Sequence, residues 1–172
     1  MKRRIVALIM MMFFVNSICN AQIQRNFFDF TLGLTTKKEV SKYFKSEGKK
    51  CSKRVDNSLC VQDVKFGGYN WPYAIFSFYN EKLYKVGFFD SGENTTEESL
   101  KTEWISLKTT ISLKYESYLD QVFSSDYIKT FDDDTTTLLM LFQNIDGRGG
   151  ISLIYSDDEM EHAVTKAEKD EL

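Results

Sequence analysis

The chain has 172 residues, of which 42% are hydrophobic and 15% aromatic, and its formal net charge is −3. This length and aromatic content suit one folded domain with a sizeable core, and they exclude an intrinsically disordered protein. The acidic balance, in which we identify no basic stretch, disfavours nucleic acid and anionic lipid as partners, because both require clustered Lys and Arg side chains.

Residues 1–21 are organised as a secretory signal peptide. Three basic residues at 2–4 precede ten apolar residues at 5–14, a run too short to span a bilayer, and small residues lie three and one positions before Gln22. We expect cleavage before Gln22, which lowers the net charge to −6 by removing three basic residues and no acidic ones. No later run of apolar residues is long enough to cross a bilayer, so we expect no membrane span in the mature chain and a periplasmic or secreted bacterial location.

The first element of the mature chain is a helix that begins at a capping box. The Thr36 hydroxyl can accept a hydrogen bond from the backbone N–H of Glu39, whose side chain can reach back to Thr36. Val40, Tyr43 and Phe44 are spaced to share one face of this helix, and Gly48 is a natural residue for its end.

A β-hairpin with two cysteines follows. Cys51 and Cys60 flank a turn near 55–57, and we expect them to face each other across the hairpin and to form a structural disulfide, as is common in exported proteins. A zinc site would need further ligands such as histidine nearby, and a redox motif would have the spacing Cys-x-x-Cys. The two cysteines therefore predict a covalent cross-link and no metal.

The segment from Tyr69 to Phe89 contains a second hairpin and the best candidate for a recognition site. Side chains alternate in period two on both sides of Asn80-Glu81, which is the pattern of two antiparallel strands. Tyr69, Trp71 and Tyr73 lie beside two glycines at the entrance to the first strand, where aromatic side chains can stack on a sugar or anchor a partner protein. The alternative is that Trp71 and Tyr73 only begin a core strand.

The second half of the chain repeats the order of a helix followed by strands. A capping box at 95–98 opens a long helix, a loop follows at 124–126, and strands are expected at 138–142 and 151–155. A third capping box at 156–159 opens a charged C-terminal helix. The long helix carries a single apolar stripe: Leu100, Trp104, Leu107, Ile111, Tyr115, Tyr118 and Val122.

These elements predict an α+β fold. Strands joined by tight turns pair in antiparallel fashion, and helices would pack on one face of the resulting sheet. We expect a single domain at 22–156, built from two loosely similar halves, and a charged helical tail at 157–172.

Two stretches resemble known proteins. FTLGLTTKKEVSKYFKSEG (Phe30 to Gly48) and FGGYNWPYAIFSFYNEKLYKVGF (Phe66 to Phe88) resemble small secreted proteins of Bacteroides-type bacteria. The helix entry and the strands after it are also similar to the superfamily of BamE/SmpA and the β-lactamase inhibitor protein (BLIP). This resemblance implies a protein without enzymatic activity that presents a sheet or loop surface to another protein, and it implies no catalytic residue.

Residue types that serve common catalytic and metal sites are sparse. His162 is the only histidine and lies in the charged tail, and the sequence has no phosphate-binding loop or dinucleotide motif. Asp132-Asp133-Asp134 offers three carboxylates for calcium but lacks the alternate ligands and central glycine of an EF-hand, so we interpret it as a solvated turn. We expect no catalytic site, no metal and no cofactor.

The leading hypothesis is an exported, non-catalytic module that binds or inhibits another exported or envelope protein. One alternative is a glycan-binding accessory protein in which Trp71 contacts the sugar. Another is a hydrolase that uses two of the 25 acidic residues. A further alternative places the protein in the lumen of the endoplasmic reticulum, because the chain ends in Lys169-Asp170-Glu171-Leu172, the KDEL retrieval signal.

Overall fold

The computed structural model describes residues 22–92, 95–145 and 148–170. The expected signal peptide at 1–21, residues 146–147 of a predicted turn and the last two residues of the KDEL tetrapeptide lie outside these ranges. The strands are β1 (Asn26–Phe27), β2 (Phe30–Thr31), β3 (Cys51–Lys53), β4 (Ser58–Phe66), β5 (Tyr69–Tyr79), β6 (Lys82–Asp90), β7 (Ile128–Asp132), β8 (Thr136–Ile145) and β9 (Arg148–Asp157). The helices are α1 (Lys37–Ser46), α2 (Glu97–Lys114) and α3 (Asp158–Asp170), with a 3₁₀ turn at Glu116–Tyr118.

Seven of the strands form one antiparallel sheet in the order β3-β4-β5-β6-β9-β8-β7, and β1 pairs with β2 separately. Each half of the chain supplies a helix and then its own consecutive strands. The last strand of the first half, β6, pairs with the last strand of the second half, β9. The predicted α+β fold with an antiparallel sheet is confirmed.

The junction between the two halves has local two-fold symmetry. Val86 pairs with Tyr155, and Phe88 pairs with Leu153. A shift of 67 positions along the chain places Val86 on Leu153 and Phe88 on Tyr155, so it exchanges the two pairs. The symmetry axis therefore passes beside Gly87, between these pairs. The antiparallel pairing of two equivalent strands therefore joins the halves into one sheet.

The helices α1 and α2 and the N-terminal strands cover one side of the sheet, which we call the core face. Phe76, Val86, Tyr155 and Leu138 lie in one row across β5, β6, β9 and β8, and none is more than 3% exposed. Burial of such apolar area is the main favourable term in folding. The helices contribute the buried side chains Val40, Phe44, Leu100, Trp104, Leu107 and Ile111.

The C-terminal helix α3 lies against the opposite side of the sheet. Lys85, whose side chain alternates with the buried Val86, forms an ion pair with Glu161 of α3 at 2.6 Å. The half-buried side of α3 has helical spacing and consists of Met160, Ala163, Val164 and Ala167. The predicted charged C-terminal helix is confirmed, and it is amphipathic.

The capping box of α1 is confirmed, whereas that of α2 is displaced by one residue. The Glu39 carboxylate accepts from the backbone N–H of Thr36 at 2.7 Å. At α2 the cap is Thr96, not Thr95, and its hydroxyl accepts from the backbone N–H of Ser99 at 3.3 Å. Adjacent threonines offer the same capping oxygen, so local sequence does not choose between them.

The third predicted capping box is also displaced by one residue. Strand β9 continues through Ser156, and the carboxylate of Asp157 accepts from the backbone N–H of Met160 at 3.0 Å. Because Asp157 is only 7% exposed and also pairs with Arg25, its position is determined by the rest of the fold.

The helix expected to reach Val122 ends earlier. α2 ends at Lys114, and Val122 is 84% exposed. Tyr115 is buried against Phe131 of β7, with ring centroids 6.2 Å apart, and its hydroxyl accepts from the backbone N–H of Gln24 at 3.3 Å. These two contacts anchor the chain where it leaves the helix. The strand β7 that receives Tyr115 was not indicated by the sequence pattern.

Candidate functional site

The two cysteines lie on the predicted hairpin, but they do not face each other. Cys51 pairs with Val61, and Cys60 pairs with Ser52, so the cysteine side chains point to opposite faces of the sheet. The predicted pairing is therefore wrong by one position, and both thiols are free. Burial raises the pKa of the Cys51 thiol, an effect that Lys45 partly opposes.

Trp71, the centre of the predicted recognition stretch, is part of the core. Its side chain is 4% exposed and its ring lies 5.7 Å from that of Phe88, while the indole N–H donates to the carbonyl of Phe66 at 3.2 Å. The alternative that Trp71 begins a core strand is confirmed. Tyr69 is half-buried beside α2, where its hydroxyl lies 3.3 Å from that of Ser106.

Tyr73 lies on the other face of the sheet from Trp71, although residues two apart in a regular strand share a face. The irregularity falls at Asp63, which has a positive φ of 53° and lies across from Pro72. After Tyr73, the buried residues of β5 are Ala74, Phe76 and Phe78. The local change in the backbone therefore separates the two aromatic residues that the sequence placed together.

The side of the sheet that bears Tyr73 carries a group of half-buried apolar side chains, which we call the open face. These are Tyr73, Ile75, Phe89, Leu139, Leu141 and Ile154. The Tyr73 and Phe89 rings are nearly parallel, with centroids 5.4 Å apart and an interplanar angle of 13°. Since every one of these side chains projects from a strand of the central sheet, the surface is held rigidly by the fold.

Gly87 determines where the Phe89 ring lies. A Cβ atom at Gly87 would stand 2.5 Å from two carbons of the Phe89 ring and 3.6 Å from Ile154. The ring therefore occupies the space that a side chain at position 87 would fill. This close approach of an aromatic ring to a backbone is possible only because glycine has no side chain.

A cleft of about 470 Å³ lies between α3 and the open face. Ile75, Gly87 and Ile154 line its floor, and Val164 and Glu168 of α3 line its wall. The cleft gives the open face a concave border, the shape in which proteins commonly receive a ligand or a partner side chain.

Acidic side chains outnumber basic ones around the cleft: Asp56 and Glu168 line it, and Glu161 beside it is paired with Lys85. The pKa of Tyr84 is raised by burial and then by the charges of Glu161, Glu168 and Asp56. Burial likewise raises the pKa of Asp158 at the start of α3, a shift that its hydrogen bond from Thr137 partly opposes. The border of the open face is therefore electronegative.

A second surface, which we call the lysine groove, was not foreseen from the sequence. Five lysines line this shallow groove of about 510 Å³ beside α1, together with Ser41, Leu59 and Glu81; they are Lys37, Lys38, Lys42, Lys45 and Lys53. The signal was present in the sequence, because residues 37–54 contain eight Lys and Arg but only two Glu. The acidic net charge of the whole chain concealed this basic stretch. The prediction that the sequence contains no basic stretch is therefore wrong.

Among the described residues, no three His, Cys, Asp or Glu side chains are arranged to hold a metal ion. His162 is exposed on α3. Within the same ranges no helix is both long enough and apolar enough to cross a membrane.

No protein-family model, curated protein or solved structure matches the chain. The resemblance to BamE/SmpA and the β-lactamase inhibitor protein at 30–48 and 66–88 therefore stays a prediction.

Proposed function

We propose that this chain is an exported, non-catalytic module that binds another folded protein on its open face. The observation that carries the proposal is the stacked pair Tyr73 and Phe89 at the centre of that face. Large aromatic side chains on a rigid support provide contact area at a small loss of conformational entropy, and they dominate the energetics of protein interfaces.

The surroundings of the stacked pair support a protein as the partner. Ile75, Ile154, Leu139 and Leu141 extend the apolar surface across four further positions of the sheet, where a flat sugar ring would find no additional aromatic support. The glycan-binding alternative relied on Trp71, which is only 4% exposed and lies on the core face.

The charge at the border indicates the chemistry of the partner. Asp56, Glu161 and Glu168 lie around the cleft, and residues 91–172 carry a net charge of −11. An apolar contact surface with a basic rim would complement this arrangement, because opposite potentials steer two proteins together and disfavour other partners. We therefore expect an exported or envelope protein with a basic rim.

Site-specific photo-crosslinking tests this proposal. Benzophenone-bearing residues at Tyr73 and Phe89 should yield the same single protein adduct in the envelope fraction of the host, whereas the same group at Leu113, which is 75% exposed on α2, should yield none. The captured protein, once purified, should bind the unmodified chain, and Tyr73→Ala and Phe89→Ala should each weaken the Kd roughly tenfold or more.

Two controls keep the result interpretable. The melting temperature of each variant must show that it folds, and binding to the captured protein should weaken as salt rises, because the rim charges become screened. The proposal fails if adducts form equally at Leu113, or if folded alanine variants bind the captured protein as tightly as the unmodified chain.

A further inference from the structure

The lysine groove concentrates positive charge on a chain that is acidic elsewhere. Residues 37–54 carry a net charge of +6, against −11 for residues 91–172. Four of its lysines, Lys38, Lys42, Lys45 and Lys53, have exposed side chains and form no ion pair within the described ranges. The groove therefore presents four amino groups without an ion-pair partner against one acidic side chain of its lining, Glu81.

The spacing of these lysines works against the helix that carries them. Lys38 and Lys42 are four residues apart, and Lys42 and Lys45 are three apart, so their like charges are neighbours on α1. Such pairs destabilise a helix slightly, whereas an acidic residue at one of these positions would stabilise it. A bound anion would relieve the repulsion, which supports a binding role for this surface.

The composition of the groove narrows the class of anion. Its lining contains no aromatic and no arginine side chain. Single-stranded nucleic acids and sugars are usually held by stacking on aromatic rings, and bidentate phosphate contacts are made by arginine. Lysine ammonium groups on flexible stems suit separate carboxylates spaced along a chain.

The groove also borders an open edge of the sheet. The edge strand β7 is covered, because Thr130 donates to the Ser124 hydroxyl at 3.2 Å and accepts from the backbone of Asp120 at 2.9 Å. The other edge strand, β3, pairs only with β4, and its Lys53 forms part of the groove. An extended peptide beside β3 would find backbone partners there, as in recognition by strand addition.

We propose that the lysine groove binds an extended acidic segment of a polypeptide, which pairs with the outer edge of β3 while its carboxylates contact Lys38, Lys42 and Lys45. The site lies by α1, across the sheet from the open face, and it does not depend on the function proposed above. Leu59, which is 2% exposed, forms the apolar base of the groove.

Fluorescence anisotropy with a labelled peptide of alternating Glu and Thr tests this proposal on the mature chain. The peptide should bind at low salt and dissociate as salt rises. The triple variant Lys38→Gln, Lys42→Gln, Lys45→Gln should weaken binding roughly tenfold. The triple variant Lys129→Gln, Lys166→Gln, Lys169→Gln has the same net charge and should bind like the unmodified chain.

Further probes separate the classes of anion. A uronic-acid oligosaccharide and oligo-dT of equal charge should bind more weakly than the peptide, and replacement of Lys38, Lys42 and Lys45 by Arg should retain most of the peptide affinity. A peptide with N-methylated backbone positions should bind more weakly, because it cannot pair with β3. The proposal would be overturned if the two Gln triple variants lost the same affinity for the peptide, or if either polymer bound more tightly than the peptide. It would also be overturned if the N-methylated peptide bound as tightly as the unmethylated one.

Discussion

Arg25 and Asp157 form an ion pair that joins the N-terminal segment to the residue that caps the C-terminal helix, 132 positions along the chain. The same guanidinium donates to the Thr135 carbonyl and to the Thr136 hydroxyl, both at 2.7 Å. Asp157 in turn caps α3 through the backbone N–H of Met160. One ion pair therefore fixes the segment before β1, the turn before β8 and the start of α3 together.

Arg25→Ala should lower the free energy of unfolding by roughly 3 kcal/mol, because it leaves a nearly buried carboxylate without its partner. Urea unfolding followed by circular dichroism provides the measurement. Arg54→Ala is the matched control: Arg54 and Asp56 are 3.7 Å apart and more than half exposed, so their loss should change stability by less than about 0.5 kcal/mol. Equal effects of the two substitutions would contradict the structural role of Arg25.

Asp158 should make stability depend on pH between neutrality and its ordinary pKa of 3.8. Burial raises its pKa in the folded protein, so the folded state binds the proton more tightly than the unfolded chain does. The stabilisation from this group is complete below the unfolded pKa and is lost as pH rises through the folded pKa. Relative to Asp158→Asn, the unmodified chain should therefore gain stability as pH falls from 7.

The measurement is urea unfolding of both proteins across that pH range. Glu159→Gln serves as the control, since Glu159 is the exposed neighbour of Asp158 on the first turn of α3. A difference between Asp158→Asn and the unmodified chain that is constant with pH, or one that grows in the opposite direction, would refute the expected effect of burial.

Gly87→Ala should destabilise the protein by about 1–3 kcal/mol, because the new Cβ would overlap the Phe89 ring. The substitution should also displace Phe89 from its stack on Tyr73. In a Phe89→Ala background the same change should cost much less, and the double-mutant cycle measures this coupling directly. If Gly87→Ala is equally costly in both backgrounds, the Phe89 ring is not what requires glycine.

Cys51 and Cys60 should both be alkylated in the native protein under non-reducing conditions, as one mass addition at each of these two residues. A disulfide would need the edge strand β3 to shift by one residue against β4, which would turn the half-buried Cys51 away from the core face. Because burial raises the pKa of Cys51, less of its thiol is ionised near neutrality, so its alkylation should be slower there than that of an exposed cysteine and should keep accelerating to a more alkaline pH. An intact mass unchanged by alkylation until reductant is added would show that the cysteines are paired.

Features that depend on nearby residues were predictable. The Thr36–Glu39 capping box, the hairpin around Asn80-Glu81 and the buried stripe from Leu100 to Ile111 all follow from spacing within a few turns or strand positions. The errors came where adjacent residues compete, as between Thr95 and Thr96, or where one position of register reverses a side chain, as with Cys60. In both situations the two alternative structures have nearly equal local free energies. Contacts with residues far away in the chain decide which alternative forms.

The sequence by itself determined the class of the fold, its three helices and most of its strands, but not β1, β2 or β7, and it determined the absence of familiar catalytic motifs, because periodicity and residue type are local properties. Only the tertiary structure decided that Trp71 belongs to the core while Tyr73 reaches the open face, and that lysines from α1 meet Lys53 at the edge of β3. Those outcomes depend on strand register, on one irregular backbone position at Asp63 and on the pairing of β6 with β9. Each is fixed by contacts between residues far apart in the chain, where the free energy of burying one face of the sheet outweighs local preference.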